Sequence, residues 1–488
     1  MSPPHPKDRD DLRAIARQAM LERGLLPDFS APAQSQTNGL AQAATEPNVR
    51  DLTDRLWASI DNDDSRDLDQ LSVAEPLSDH AVRILIAVAD VDSLVERGCP
   101  IDEHAGHNTT SVYTAAEIFP MLPEKLSTNL TSLAQDQERL ALVVDLVVAE
   151  DGTVRQSEVY RALVTNKAKL AYNAVAMWLE GKAPAPPRLA AVAGLDEQIR
   201  IQDRVAQALG RVRHDNGALS LETLQTSAVF DGETLRDLIP NGKNRAQELI
   251  ENFMIAANQA TAHWLQRRSF PSIRRVLRTP QRWDRIVALA AELGEQLPAS
   301  ADAFALNSFL AKRRAVDPVR FPDLSLAVIK LLGRGEYAVE MQGEHTEGHF
   351  GLAVNDYTHS TAPNRRFPDL LTQRLLKAAL ADRPPPYSVD ELHLLAAHCT
   401  QQEDNAAKVE RRVGKSAAAL LLQPRIGQTF DAIVTGAADK GTWVRTMTPP
   451  VEGRVVRGFQ GLDVGQAVRV TLIHVDVARG FIDFAREV

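Results

Sequence analysis

Several acidic side chains near the start of the chain have a spacing suited to metal binding. In the segment SIDNDDSRDLDQL, Asp61, Asp63, Asp67 and Asp69 fall within nine residues, with Asp64 beside them. Like charges this close repel one another unless a cation neutralises them. A hard divalent ion such as Mg²⁺ takes oxygen ligands and keeps several of its waters. The spacing therefore indicates a metal site for phosphate chemistry, although a solvated acidic turn has the same composition.

The elements around this acidic run are predicted strands. The run leads into the alternating segment LSVAE and then into the apolar segment RILIAVADV, Arg83 to Val91. A turn held by a rigid sheet keeps its carboxylates in fixed positions, which a disordered acidic tail cannot do. This context favours a site over an acidic surface turn.

Length and composition restrict the class of protein. The chain has 488 residues, of which 44% are apolar, so about two to four domains are expected. No apolar run reaches the roughly 18 residues that a membrane span needs. The first residues, MSPPHPKDRDDLR, are polar and do not resemble a signal peptide. Cys99 and Cys399 suggest no disulfide framework, which favours a reducing, cytoplasmic location.

Charge argues mildly against a protein that simply coats nucleic acid. Lys and Arg number 55 and Asp and Glu number 64, a net charge of −9. A local exception is the arginine-rich segment from Arg267 to Arg285. It predicts either an exposed strand and helix face or a groove for a polyanion, and the sequence leaves both open.

Changes of pattern along the chain suggest three parts. Helical spacing is seen from Asp10 to Leu26, and residues 28–48 have the composition of a linker. Strands and helices mix from about Asp51 to Leu380, including a hairpin with its turn at Asp151-Gly152. Residues 427–488 contain five short β-branched runs separated by Gly and Pro, which is typical of a small barrel.

A second motif, DYTHSTAPNRRFPDLLTQRLL from Asp356 to Leu376, resembles the signature of the ribonuclease II and ribonuclease R (RNB) family. There a segment of the form YTHxTSPIRRYPDL precedes a long helix, and the acidic run stands where the family has its metal-binding aspartates. Further segments are similar to family segments in the same order. They are FPMLPEKLSTNLTSL, NKAKLAYNAVAMWL, LIENFMIAAN and HFGLA.

The resemblance implies the fold and the domains. We expect an α+β protein with a short helical N-terminal segment and linker (1–48), an RNB catalytic domain (49–422) and a C-terminal OB-fold RNA-binding β-barrel (423–488). The pair of N-terminal cold-shock barrels usual in the family is expected to be absent, because about fifty residues are too few for it.

The resemblance also implies an activity. Such enzymes hydrolyse single-stranded RNA processively from its 3′ end and release nucleoside 5′-monophosphates. They use Mg²⁺, with Mn²⁺ as an alternative. The expected partner is therefore the 3′ end of a single-stranded RNA, with no membrane involved, and the expected state is a monomer.

Individual roles follow from matching positions. Asp61, Asp67 and Asp69 match three of the family's four active-site aspartates, and Arg365 matches the arginine on the scissile phosphate. The expected substrate-binding residues are Tyr113, Tyr172 and Glu251, of which Glu251 is uncertain by one residue. Gln70 occupies the fourth acidic position, so the expected metal ligands are Asp61, Asp67, Asp69 and Gln70.

These residue types suit the chemistry on physical grounds. Hydrolysis of a phosphodiester needs an activated water and a stabilised leaving oxygen, which two metal ions about 4 Å apart can supply. A guanidinium forks onto two phosphate oxygens and stays charged, as Arg365 would. Tyrosine faces stack on any base, which suits an enzyme that moves along any sequence.

Departures from the signature leave alternatives open. Gln70 brings an oxygen but no charge, and Ala362 and Asn364 stand where Ser and Ile are usual. Leu221 falls where a base-stacking phenylalanine is often found. The alternative function is therefore a catalytically weakened RNA-binding regulator on the RNB fold. A third function is an endonuclease.

Overall fold

The computed structural model describes residues 8–223, 225–341, 343, 348–438 and 441–487. The chain begins with two helices, α1 (Asp8–Glu22) and α2 (Ala31–Gly39). Helix α2 lies inside the segment whose composition suggests a linker. Ser30 caps this helix by accepting from the Ala33 N–H, and Ala33 lies on the buried face of the helix. Capping and burial thus outweigh a composition poor in large apolar residues.

The core of the part that follows is a seven-stranded sheet. Its strands are β1 (Arg50–Asp51), β2 (Ala58–Asp61), β3 (Gln70–Pro76), β4 (Val82–Ala89), β7 (Glu138–Val148), β8 (Val154–Thr165) and β9 (Ala168–Ala171). Strands β5 (Val112–Tyr113) and β6 (Ile118–Phe119) form a separate short hairpin between β4 and β7 in the chain. The sheet order is β1-β8-β7-β4-β3-β2-β9. The predicted hairpin is confirmed as β7–β8. Its Gly152 has φ +92°, and a Cβ there would lie 2.4 Å from the Ala208 carbonyl oxygen.

Helices pack on this sheet and around its edges. They are α3 (Pro100–Asn108), α4 (Tyr172–Leu179), α5 (Pro187–Ala190), α6 (Leu195–Asp215), α7 (Arg245–Arg267), α8 (Trp283–Glu292), α9 (Ala303–Val316), α10 (Phe321–Leu332), α11 (Phe367–Leu380) and α12 (Val389–Leu422). Two two-stranded antiparallel sheets complete this part: β10 (Gln225–Asp231) with β11 (Thr234–Asn241), and β12 (Ser272–Val276) with β13 (Glu336–Glu340). Helices α8 to α10 lie between β12 and β13 in the chain and share a separate apolar cluster, on which Leu221 packs. Among the described residues, none of the helices is long and apolar enough to cross a bilayer.

Helix α12 links the part built on the seven-stranded sheet to the C-terminal domain. It is a single helix of 34 residues, and a capping box between Ser388 and Glu391 fixes its start after three prolines. The strands β14 (Thr429–Ala438), β15 (Gly441–Thr446), β16 (Glu452–Arg457), β17 (Ala467–Asp476) and β18 (Phe481–Arg486) then form a closed barrel. The predicted five-stranded barrel is therefore confirmed. Its core packs against the last turns of α12.

Candidate active site

The predicted acids lie on one loop at the edge of the sheet. Asp61 ends β2 and Gln70 begins β3, and the two strands are antiparallel neighbours. Residues 62–69, which we call the acidic loop, therefore connect adjacent strands. The Ala89 N–H at the end of β4 donates to the Asp69 carbonyl oxygen at 3.0 Å, which ties the loop to a third strand.

Asp69 is the deepest of these acids, with 2% of its surface exposed. Its Oδ1 accepts from the Asn364 N–H at 2.9 Å, and its Oδ2 lies 3.6 Å from Arg365 Nε. Burial raises the pKa of Asp69 to about 7, and the charge of Asp67 adds to this. Arg365 and the Asn364 N–H oppose the shift. Asp69 is thus a buried carboxylate with little to neutralise it except one guanidinium.

Asp61 faces the same space. Its Oδ1 accepts from the Asn62 N–H at 2.7 Å and from the Ser65 hydroxyl at 2.9 Å. Burial raises its pKa, the charge of Asp67 adds to the increase, and Arg365 acts against it. Asp61, Asp67 and Arg365 therefore lie close enough to share one electrostatic field.

The arginine comes from a tightly held loop of the signature, residues 358–366, which we call the arginine loop. The Arg365 carbonyl oxygen accepts from the Ser111 N–H at 3.0 Å, and the Ala362 N–H donates to Asp369 Oδ1 at 2.8 Å. The preceding residues 360–364 are buried, but the Arg365 side chain is 44% exposed. The Arg365 side chain thus extends from a fixed backbone, and its guanidinium is accessible to a ligand beside the acids.

The two predicted tyrosines border this space. The Tyr113 hydroxyl donates to Asp67 Oδ2 at 3.3 Å, and its ring is partly exposed. Tyr172 is the first residue of α4. Burial raises the pKa of its hydroxyl, with a further increase from the charge of Asp61 and a decrease from Arg365. Both phenols therefore face the acids and the arginine.

Glu251 lies apart from this group. It is on α7, paired with Lys243, and it lines a cleft of about 570 Å³ together with Arg213 and Asn252. No contact between described residues joins it to the acids. The cleft nevertheless begins close to Tyr172, because the next residue, Asn173, bonds to the Asn244 cap of α7 at 3.0 Å. Six of the predicted site residues come together with Gln70 beside them, and Glu251 is in a neighbouring cleft.

The donor set has the chemistry of a hard-cation site. Within the part of the chain described, no three His, Cys, Asp or Glu side chains are already grouped as a metal site. However, Asp69 is a buried carboxylate with a raised pKa, and the half-buried Gln70 amide makes no hydrogen bond to any described residue. Three carboxylates and a spare carboxamide oxygen are the ligand chemistry of Mg²⁺, so the residues fit it. Asp63 and Asp64 are exposed on the loop.

Some residues of the site carried no functional signal in the sequence. Glu410 of α12 accepts from the Tyr113 N–H at 2.9 Å, although more than 290 positions separate them. Asn364, a departure from the usual signature, bonds through its backbone to Asp69. Such contacts depend on the tertiary fold, and no local spacing of residues in the sequence predicts them.

The arginine-rich segment is largely used for internal pairing. Arg274 pairs with Glu340 at 2.5 Å and Arg275 with Glu403 at 2.6 Å. Arg267 donates to the Ser157 carbonyl oxygen at 3.0 Å. These contacts favour structural roles over an open groove for a polyanion.

Comparisons with known proteins agree with this arrangement. The RNB domain profile matches residues 49–382, and the profile of the RNase II-type exonuclease C-terminal S1 domain matches residues 428–487. Ribonuclease R of Vibrio parahaemolyticus is 29% identical over 83% of the chain and 49% of its own length. Ribonuclease R of Escherichia coli is 28% identical over 83% of the chain and 51% of its own length. The chain thus spans about half the length of these relatives.

Solved structures share the fold. RNase R of Mycoplasma genitalium in complex with ribose-methylated single-stranded RNA superposes with a TM-score of 0.87 at 22% identity, covering 98% of this chain and 78% of that one. Yeast Ssd1, a pseudonuclease, superposes with a TM-score of 0.72 at 15% identity, covering 95% and 58%. The fold therefore accommodates both nucleases and a pseudonuclease. By its matching domains, their order and its architecture, the chain belongs to the RNB family.

Proposed function

We propose that the chain is a metal-dependent 3′→5′ exoribonuclease that hydrolyses single-stranded RNA processively to nucleoside 5′-monophosphates. The observation that carries this proposal is the juxtaposition of Arg365 and Asp69, 3.6 Å apart at the edge of the sheet. A cationic fork beside a group of carboxylates is what cleavage of a phosphodiester requires.

The metal would be held by Asp61, Asp67 and Asp69, with the Gln70 amide oxygen as a neutral fourth donor. When bound, Mg²⁺ or Mn²⁺ supplies an activated water and neutralises charge on the leaving oxygen. Burial raises the pKa of Asp69 to about 7, so without a cation nearby its carboxyl is partly protonated at neutral pH. These side chains would thus bind and orient the cation, and the cation would supply the positive charge that the reaction needs.

Arg365 would bind the scissile phosphate. Its guanidinium keeps its charge and can place two N–H donors on two phosphate oxygens. Because its backbone is held by the Ser111 N–H, binding a phosphate has to order only the Arg365 side chain and not the loop that carries it. Tyr113 and Tyr172 would stack on the last bases, and Glu251 would contact a terminal nucleotide from its cleft.

The remaining expectations stay proposals. The partner would be the 3′ end of a single-stranded RNA, the active form a monomer, and the location the cytoplasm. The proposed divisions are 1–48, 49–422 and 423–488, so that α12 belongs to the catalytic domain. They are supported by the end of α12 at Leu422 and the start of the barrel at Thr429.

A second candidate is an RNA-binding regulator that has lost catalysis. It is favoured by Gln70, which leaves the donor set one charge short, and by the likeness in fold to a pseudonuclease. We prefer the enzyme because three acids and Arg365 are present together.

The test uses one single-stranded RNA labelled at either end. With excess Mg²⁺, the 3′ label should appear at once as a mononucleotide, while the 5′ label stays on long RNA and then on a short end product. EDTA and Asp69→Asn should abolish both changes. RNA bound without release of monophosphate would favour the regulator. Cleavage of a circular RNA would identify an endonuclease.

A further inference from the structure

We propose that residues 131–133, which we call the clasp, position the acidic loop and the arginine loop relative to each other. This inference deepens the proposed function and rests on it. The clasp follows a single turn of π-helix, Leu126–Leu130, between β6 and β7. None of its residues carries a charge, and none is among the expected site residues.

The clasp is bonded to the acidic loop by three hydrogen bonds. Ser132 Oγ accepts from the Leu68 N–H at 3.0 Å and donates to the Arg66 carbonyl oxygen at 2.7 Å. The Leu133 N–H donates to the Leu68 carbonyl oxygen at 2.9 Å. These contacts surround Asp67 and precede Asp69. The shape of the loop between the two acids is therefore set by one serine hydroxyl and one backbone amide.

The same segment reaches the arginine loop. Thr131 Oγ1 lies 2.5 Å from Asn364 Oδ1, and in either orientation of the Asn364 amide this hydroxyl is its partner. The Asn364 N–H donates in turn to Asp69 Oδ1 at 2.9 Å, and Arg365 is the next residue. Thr131 and Ser132 are neighbours in sequence, so the two loops are held by adjacent side chains.

A third branch leads to the strand that carries Asp61. Asn166 Nδ2 donates to the Leu133 carbonyl oxygen at 2.9 Å and to Ser59 Oγ at 3.1 Å. Ser59 lies two residues before Asp61 on β2. The clasp is thus connected to the elements that carry Asp61, Asp67, Asp69 and Arg365.

Burial makes these contacts decisive for the local geometry. Thr131, Ser132 and Leu133 are 4%, 0% and 1% exposed. Water cannot replace a lost partner in such a place, so a backbone group left unpaired would move to find another. The Thr131 N–H donates to the Leu126 carbonyl oxygen at 3.1 Å, the bond that closes the π-turn. Single π-turns inside helices are frequent at functional sites.

The main test compares Ser132→Ala with Ser127→Ala. Ser127 is a matched control: it lies on the π-turn just before the clasp and is 4% exposed, and among the described residues its hydroxyl reaches only the Leu122 and Pro123 carbonyl oxygens. We expect Ser132→Ala to lower kcat about 10-fold or more and to weaken Mn²⁺ binding by a similar factor, while KM for RNA changes less than about threefold. Ser127→Ala should leave kcat and Mn²⁺ affinity within about twofold of wild type.

Mn²⁺ affinity is measured by electron paramagnetic resonance without RNA. Equal effects of the two serine variants on kcat and on Mn²⁺ affinity would overturn the clasp and leave the proposed function standing. A wild type that binds Mn²⁺ but releases no nucleotide would overturn the proposed function, and the Mn²⁺ affinities would still decide on the clasp.

A conservative pair tests the link to the arginine loop. Thr131→Val keeps the shape and removes the hydroxyl, whereas Thr131→Ser keeps the hydroxyl and removes a methyl group. Thr131→Ser should retain kcat and Thr131→Val should lose it, at similar melting temperatures. The reverse order would show that Thr131 acts through packing, and the clasp would then be refuted as a link between the loops.

Discussion

Replacing the buried acid Asp69 should stabilise the metal-free protein while it abolishes hydrolysis. Asp69 is buried, and its pKa is raised to about 7 from an ordinary value near 3.8. A raised pKa means that the folded state favours the neutral carboxyl. The stability that this form provides is therefore present below pH 3.8 and is lost as the pH rises through 7.

The size of the effect follows from the shift. About three pKa units correspond to about 4 kcal/mol between pH 4 and pH 8, taken as an upper limit. Asp69→Asn keeps the acceptor for the Asn364 N–H and removes the charge, so its stability should not show this loss. The free energy of unfolding of the variant should exceed that of wild type by up to about 4 kcal/mol at pH 8 and by much less at pH 4.

The assay is urea unfolding in EDTA at several pH values between 4 and 8. Asp64→Asn, which removes an exposed charge from the same loop, is the control and should follow wild type. If the free energies of unfolding of wild type and Asp69→Asn changed in parallel with pH, burial of the ionised Asp69 carboxylate would not destabilise the fold, and the reasoning would be refuted. Mg²⁺ should narrow the gap at pH 8, because a cation stabilises the ionised carboxylate of wild type alone.

Three further predictions concern single residues. Arg365→Ala should lower kcat about 100- to 1,000-fold and change RNA affinity less than threefold, and Arg365→Lys should recover part of the lost kcat. Steady-state kinetics and RNA-binding titrations measure both quantities, and equal losses of kcat in the two variants would contradict a two-pronged contact of the guanidinium with the phosphate. Gln70→Asp should lower the Mg²⁺ concentration for half-maximal activity about 10- to 100-fold in a metal titration, and no change would remove Gln70 from the ligand set. Burial lowers the pKa of His104 to about 4, so the fold loses stability as the pH falls from 6.5 to 4. In unfolding curves, His104→Gln should lose less stability over this range than wild type, whereas the exposed control His393→Gln should match wild type.

Much of the fold could be predicted from the sequence because local chemistry specifies it. The turn at Asp151-Gly152 needs a glycine at positive φ, and its hairpin is present. The alternation in the last sixty residues fixes which side chains enter the barrel. The position of Arg365 opposite Asp69 was expected from the resemblance, and the structure places them together.

The parts that could not be predicted depend on distant contacts. Helix α2 forms because Ser30 caps it and Ala33 is buried, neither of which composition reveals. Glu251 was expected to bind substrate, and the course of α7 places it in a cleft with Lys243, apart from the acids. The clasp consists of Thr, Ser and Leu, residue types too common to signal a role without their partners.

The central claim is that the acids of residues 61–70 and the Arg365 guanidinium act on one phosphate. The most direct measurement is a crystal structure of the protein with Mn²⁺ and a single-stranded RNA whose last linkage resists hydrolysis. We predict an anomalous peak among Asp61, Asp67, Asp69 and Gln70, with the terminal linkage within hydrogen-bond reach of Arg365. An RNA 3′ end bound elsewhere, or a manganese peak remote from these four side chains, would contradict the account.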